Sequence, residues 1–128
     1  MNEPADKEHT TTRWMQGYLE AWASSDADQI GALFTEDAEY FTDPFGEPWR
    51  GRAGIVAGWL EHADAPDSFT FEWSPLAITP EMSIIEGITR YTAGTVYSNL
   101  WVIRFAPNGQ AREFIEWWMD QGKPSGSS

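Results

Sequence analysis

The feature that most narrows the fold is a change of hydrophobic period part-way along the chain. Through most of the first half, apolar residues recur three and four apart; from Ser68 onward they alternate. Met15, Tyr18, Leu19 and Trp22 share one side of a helix that Thr10, Thr11 or Thr12 can cap and that ends near Ser24. Asp26 or Asp28 can cap a short second helix carrying Ile30, Leu33 and Phe34. Residues 38–45 read as a strand stopped by Pro44, and 46–51 as a turn. Residues 52–63 read as a third helix bearing Ile55, Val56, Trp59 and Leu60. Four strands follow at about 69–79, 82–93, 95–106 and 111–119. They are joined at Thr79-Pro80-Glu81, Ala93-Gly94 and Pro107-Asn108-Gly109. Pro75 marks a bulge or an edge in the first of the four. Helices followed by an antiparallel meander make an α+β chain, and one curved sheet wrapped around three helices buries both apolar faces. Residues 1–9 read as a loose lead-in and 123–128 as a flexible tail. That leaves one domain over 1–122 with its ordered core at about 10–120.

Composition removes several classes of function. The 128 residues hold 20 acids against 8 Lys and Arg, a net charge of −12, which argues against nucleic acid or anionic lipid as partner. No cysteine is present, so thiol nucleophiles, disulfides and thiolate metal sites are excluded. No apolar run reaches the ~18 residues of a membrane span, and the first residues lack a signal-peptide stretch, so a cytoplasmic protein is expected. His9 and His62 have no further ligand at metal spacing and read as surface residues; no metal and no cofactor is expected. There is no phosphate-binding glycine loop and no nucleophile elbow. Aromatic residues make up 15% of the chain, with eight Trp, enough for a real core despite the charge.

Alternation identifies the polar groups that share a face with that core. Over 95–106, Tyr97, Asn99, Trp101, Ile103 and Phe105 form one set and the other is mixed, so one face of a sheet apolar on both sides packs on the helices and the other meets a second subunit or further structure. Over 111–119, Phe114, Glu116 and Trp118 share one face and Glu113, Ile115 and Trp117 the other. Either choice strands an acid, Glu116 or Glu113, among large apolar neighbours, with Glu86 the candidate two strands earlier. A carboxyl desolvated in that way has a raised pKa and can act as general acid or base near neutral pH. The bland alternative puts these acids in water or beside Arg90 or Arg112. Asp43, ahead of Pro44, reads as a turn cap, with a catalytic base the rarer alternative.

The stretch from Tyr18 to Ile55 resembles the opening of the nuclear-transport-factor-2-like superfamily, especially its SnoaL-like members. The resemblance rests on the break at Ser24-Ser25-Asp26, Leu33-Phe34 before Asp37-Ala38, then Tyr40, Pro44, and Gly51 leading into a helix. The hairpin from Val102 to Trp118 is similar to that family's last two strands. The resemblance implies a cone-shaped α+β domain enclosing an apolar pocket, often dimeric through the outer sheet face. Family activities include cofactor-independent cyclisation, isomerisation, dehydration and epoxide hydrolysis; other members bind without catalysis.

Compared with limonene epoxide hydrolases, Tyr40 matches the first-strand Tyr, but Thr42 replaces the expected Asn. The stretch Ile84 to Ile88 keeps neither the Arg nor the Asp of the middle motif. Glu116 falls where the last-strand Asp would be. Epoxide hydrolysis is therefore disfavoured. The comparison implies an inward set: Glu116 first and Glu86 second as proton carriers, with Tyr40, Thr42, Arg90, Asn99, Trp101, Phe114 and Trp118. Trp59 and Tyr97 complete the expected binding wall for a small apolar or polycyclic carbonyl compound. The rival expectation is a ligand-binding or dimerisation module of the same fold without catalysis.

Overall fold

A computed structural model describes residues 3–65, 67–79 and 81–123, with side chains from Thr10 onward. Of the expected tail over 123–128 only Lys123 is described; the rest of it and the His9 side chain lie outside the described residues. Three helices, α1 (Glu3–Ser24), α2 (Ala27–Ala32) and α3 (Gly51–Glu61), pack against a six-stranded sheet. The strands are β1 (Phe34–Phe41), β2 (Trp49–Arg50), β3 (Phe69–Ile78), β4 (Met82–Tyr91), β5 (Val96–Phe105) and β6 (Ala111–Asp120). Their order is β2-β1-β6-β5-β4-β3; only the β1–β6 pairing is parallel. This is the expected α+β architecture, a curved and unclosed sheet with its helices in the N-terminal half.

Local chemistry sets the breaks. Ser25 ends α1 in the left-handed region at φ 54°, its N–H donating to the Ala21 carbonyl at 2.8 Å. Asp26 then caps α2, its Oδ1 accepting from the amides of Asp28 and Gln29 at 2.9 and 3.0 Å. Pro75 does mark a bulge: the β3–β4 register shifts between Pro75 and Ala77, on a strand at the sheet edge.

Three expectations are corrected. Residues 3–9 are helical, because Pro4 sits in the first turn, where its missing N–H costs nothing. Thr11 therefore caps no helix. It lies buried within α1, its hydroxyl 2.7 Å from that of Ser83 on β4. The first strand begins at Phe34 and not at 38, since α2 ends after six residues and Phe34 pairs with Ala111 of β6.

The core is largely aromatic. Trp14, Tyr18, Phe34, Tyr40, Trp59, Trp101 and Phe114 are all buried, and Phe114 lies nearly parallel to Tyr40 at 4.5 Å. Such pairs contribute about 0.5–1.5 kcal/mol each beyond the area they bury. Register then fixes the inner face. Ser83, Ile85, Gly87 and Thr89 of β4 point inward, as do Asn99, Trp101 and Ile103 of β5 and Phe114 of β6. The opposite face of the same strands carries Ile84, Glu86, Ile88 and Arg90, then Leu100 and Val102, then Ile115 and Trp117.

Candidate active site

Past Phe114 and Trp101 the core opens into a cavity of about 290 Å³ between the sheet and helices α1 and α3. Glu116 stands in its wall. It lies directly across from Trp101 in the β5–β6 pairing, so its side chain shares the inner face. Its Oε2 accepts from Asn99 Nδ2 at 2.9 Å and from the Trp101 indole N–H at 3.1 Å. Asn99 is itself oriented: its Oδ1 accepts from the Thr89 hydroxyl at 2.8 Å. Three strands thus hold one carboxyl through the chain Thr89, Asn99, Glu116. Oε1 has no protein partner among the described residues. Burial pushes the Glu116 carboxyl above its ordinary value, and the two hydrogen bonds, which favour the charged form, only partly offset this.

A second polar element crosses the cavity from the helix side. The hydroxyls of Tyr18 on α1 and Tyr40 on β1 lie 2.7 Å apart, both side chains buried. Burial, then the neighbouring Tyr40 and Glu116, drives the Tyr18 phenol upward; burial and Glu116 do the same to Tyr40. Both stay neutral at any physiological pH. Two hydroxyls sharing one bond leave one proton over, a donor available to a ligand.

The third element is at the rim. Asp64, in the link after α3, takes two donors on Oδ2, the Trp22 indole N–H at 2.9 Å and the Tyr91 hydroxyl at 3.1 Å. Burial first, and then the adjacent Asp64, raise the Tyr91 phenol as well.

Most of the expected wall assembles here: Tyr40, Thr42, Trp59, Tyr97, Asn99, Trp101, Glu116 and Trp118 all line the cavity. Three expected residues do not. Glu86 and Arg90 are exposed on the outer face, because β4 turns Ile85, Gly87 and Thr89 inward and even-numbered residues out. Arg90 there pairs with Glu72 at 3.8 Å. Phe114 is fully buried beneath Tyr40 and supports the wall without reaching the cavity. Asp43 is a turn cap, its Oδ1 accepting from the Gly46 amide at 2.6 Å. His62 is exposed, as expected, yet it stands at the cavity mouth with its ring parallel to that of Trp49. No group of three or more His, Asp or Glu that could hold a metal occurs among the described residues. No helix among them is long and apolar enough to cross a membrane.

Sequence reasoning missed Tyr18, Trp49, Thr89, Tyr91 and Asp64 as lining residues. Thr89 and Tyr91 share a face with Gly87 on β4, but alternation there leaves both faces open. Asp64 carries no local signal at all.

The model of the SnoaL-like domain matches residues 15–121 of the sequence. The chain belongs to the SnoaL-like family. Among solved structures, an NTF-2 like protein of unknown function from Burkholderia xenovorans LB400 is similar, with TM-score 0.73 and 20% identity over 94% of this chain and 91% of that one. A ketosteroid isomerase-like protein of Kribbella flavida DSM 17836 gives TM-score 0.70 at 13% identity, covering 93% and 84% of the two chains. The epoxide hydrolase/cyclase-like enzyme SalBIII, of pyran ring formation in the polyether salinomycin, gives 0.71 at 16%, covering 93% and 95%. At these identities the likeness is one of fold. No curated protein matches the sequence. SnoaL-like domains differ in chemistry on one scaffold, so function has to be read from the cavity itself.

Proposed function

We propose that this SnoaL-like domain moves a proton on a small carbonyl compound, with Glu116 as proton carrier. The observation that supports it is a desolvated carboxyl in a cavity wall, held by Asn99 and Trp101 on one oxygen and open on the other. Ionised Glu116 takes a proton from the carbon next to the carbonyl; the C–H electron pair becomes the enolate, and its oxygen is met by the free phenolic proton of the Tyr18–Tyr40 pair. When the carbonyl is β,γ-unsaturated the anion is a dienolate, and Glu116 returns the proton to its γ carbon, which is isomerisation. When the enolate carbon instead adds to a second carbonyl of the same molecule, that C=O π bond breaks and its oxygen takes the proton from Glu116, which is cyclisation; both outcomes are redox-neutral. A neutral phenol suits the donor role, since it can stabilise the enolate without first losing its own proton. The cavity of about 290 Å³ lies at the small end of the range for ligand pockets, which favours one or two rings over a larger polycycle.

The test is exchange of α-hydrogens of small cyclic ketones in D₂O, followed by proton NMR. Wild type should accelerate exchange, and Glu116→Gln should remove about 100-fold or more of that acceleration, the usual scale for general acid–base catalysis. Ketone binding with no Glu116-dependent exchange would instead support the ligand-binding reading.

The outer sheet face is proposed as the contact between two copies. Ile84, Ile88, Leu100, Val102 and Ile115 make an apolar centre there, with Trp117 51% and Met119 48% exposed. Of the charges on that face Arg90 pairs with Glu72 and Arg104 with Glu113, whereas Glu86 stands exposed between Ile84 and Ile88 with no ion-pair partner among the described residues. Sedimentation at micromolar concentration should give a dimer that Trp117→Lys converts to monomer; a monomeric wild type contradicts it.

A further inference from the structure

One property of the cavity is not accounted for by a neutral carbonyl compound. Of its sixteen lining residues nine are Tyr or Trp, two are carboxylates, and neither Lys nor Arg is among them. A site built for an anionic ligand would gain from a cation in its wall; this one presents aromatic rings and acids. The two acids are fixed alike. Each uses one oxygen for two neutral donors, indole N–H and amide on Glu116, indole N–H and phenol on Asp64. Each keeps its other oxygen without a protein partner among the described residues. No cation among the described residues pairs with either. Ion pairs do occur at three of the six arginines, Arg50, Arg90 and Arg104, all outside the cavity.

Aromatic rings stand around the opening as well as the floor. Trp49 and His62 lie parallel at one side, and Tyr97 stands edge-on to Trp118 at 5.6 Å. Tyr91 stands edge-on to Tyr97 at 5.9 Å, with its hydroxyl on Asp64. A collar of aromatic rings with a carboxylate at its edge is the arrangement that recognises organic cations, through the negative face of each ring together with the fixed charge. The net charge of −12 adds a long-range attraction of the same sign.

We propose that the cavity takes a small organic molecule carrying a positively charged nitrogen, a protonated amine or a quaternary ammonium, with the cation seated in the aromatic collar beside Asp64. Resting on the proton-transfer reading above, this makes the substrate a carbonyl compound whose amine binds at the rim and whose carbonyl end reaches Glu116 and the Tyr18–Tyr40 pair.

The test uses isosteric probes that differ only in charge: phenyltrimethylammonium against tert-butylbenzene, and choline against its neutral carbon isostere. Tryptophan fluorescence and calorimetric titration should show the cation of each pair binding at least tenfold tighter. Asp64→Asn should reduce that preference severalfold. Trp118→Leu, at a residue 55% exposed and so tolerant of change, should reduce it too and guards against a folding defect in the Asp64 variant. Equal affinities within each pair, a preference for the neutral member, or no binding of either would overturn the proposal. The outcome is separable from the proton-transfer reading. Equal affinities beside intact Glu116-dependent exchange sink only the cation; a cation preference without exchange sinks only the chemistry.

Discussion

Gly87 offers a quantitative test of how the cavity wall is built. It sits on the inner face of β4, opposite Trp73 of β3 and Asn99 of β5. A Cβ placed there would lie 2.4 Å from Cζ and 2.8 Å from Cε1 of Phe71, and 3.0 Å from the Glu72 carbonyl oxygen. The ring cannot swing away freely, because it stacks on Trp101 at 4.8 Å and is tilted against Trp22 at 5.5 Å. Overpacking of this kind costs about 1–3 kcal/mol. Replacing glycine by alanine returns about 0.4–1 kcal/mol through the unfolded chain. Taking the middle of each range, Gly87→Ala should therefore destabilise by about 1 kcal/mol in urea denaturation monitored by circular dichroism. The displaced ring presses on Trp101, the residue that donates to Glu116. Phe71→Leu in the same chain should relieve part of the strain, giving a double variant less destabilised than the sum of the singles. A Gly87→Ala protein as stable as wild type, or strictly additive energies, would refute this packing argument.

Three further outcomes follow. Tyr18→Phe or Tyr40→Phe leaves a buried hydroxyl without its partner and should cost about 1–3 kcal/mol, whereas the double variant should cost less than the sum, read by the same denaturation. Asp26→Ala removes the cap of α2 and should cost about 1 kcal/mol, with faster amide exchange at Asp28 and Gln29. Glu116→Gln should gain stability over wild type as pH rises. The folded state holds the Glu116 proton more tightly than the unfolded chain, so this group's stabilising effect is complete below the ordinary value of 4.5 and is lost as pH climbs through the folded value. A difference constant between pH 4 and pH 8 would contradict that.

The period change along the chain was enough for the class, the helix and strand count in the second half, and the bulge at Pro75. It failed where tertiary pairing overrides local pattern. Trp49 and Arg50, in a run with turn chemistry, pair with Tyr40 and Glu39 as a short strand. Phe34 looks helical by spacing, yet it is taken by the parallel pairing with β6. Glu116 was legible in part: alternation left Glu113 and Glu116 open, and the resemblance to limonene epoxide hydrolases favoured Glu116. Glu86 was misplaced for an instructive reason: Ile84, Ile85 and Ile88 leave both faces of β4 apolar, so alternation alone cannot choose between them, and Gly87 and Thr89 proved to mark the inner one. Asp64 was illegible because its role comes only from the contacts of Trp22 and Tyr91, 42 and 27 residues away along the chain.

On this reading Glu116 is a proton carrier tuned by its surroundings. Carbon-detected NMR of the side-chain carboxyls, with Glu116→Gln for assignment, measures this directly. One carboxyl, absent from the Gln variant, should titrate above the ordinary glutamate value, and Trp101→Phe should move it higher still by removing a donor from the charged form. If Glu116 titrates at or below the ordinary value, or if loss of the Trp101 indole moves it down, the account of this site is wrong.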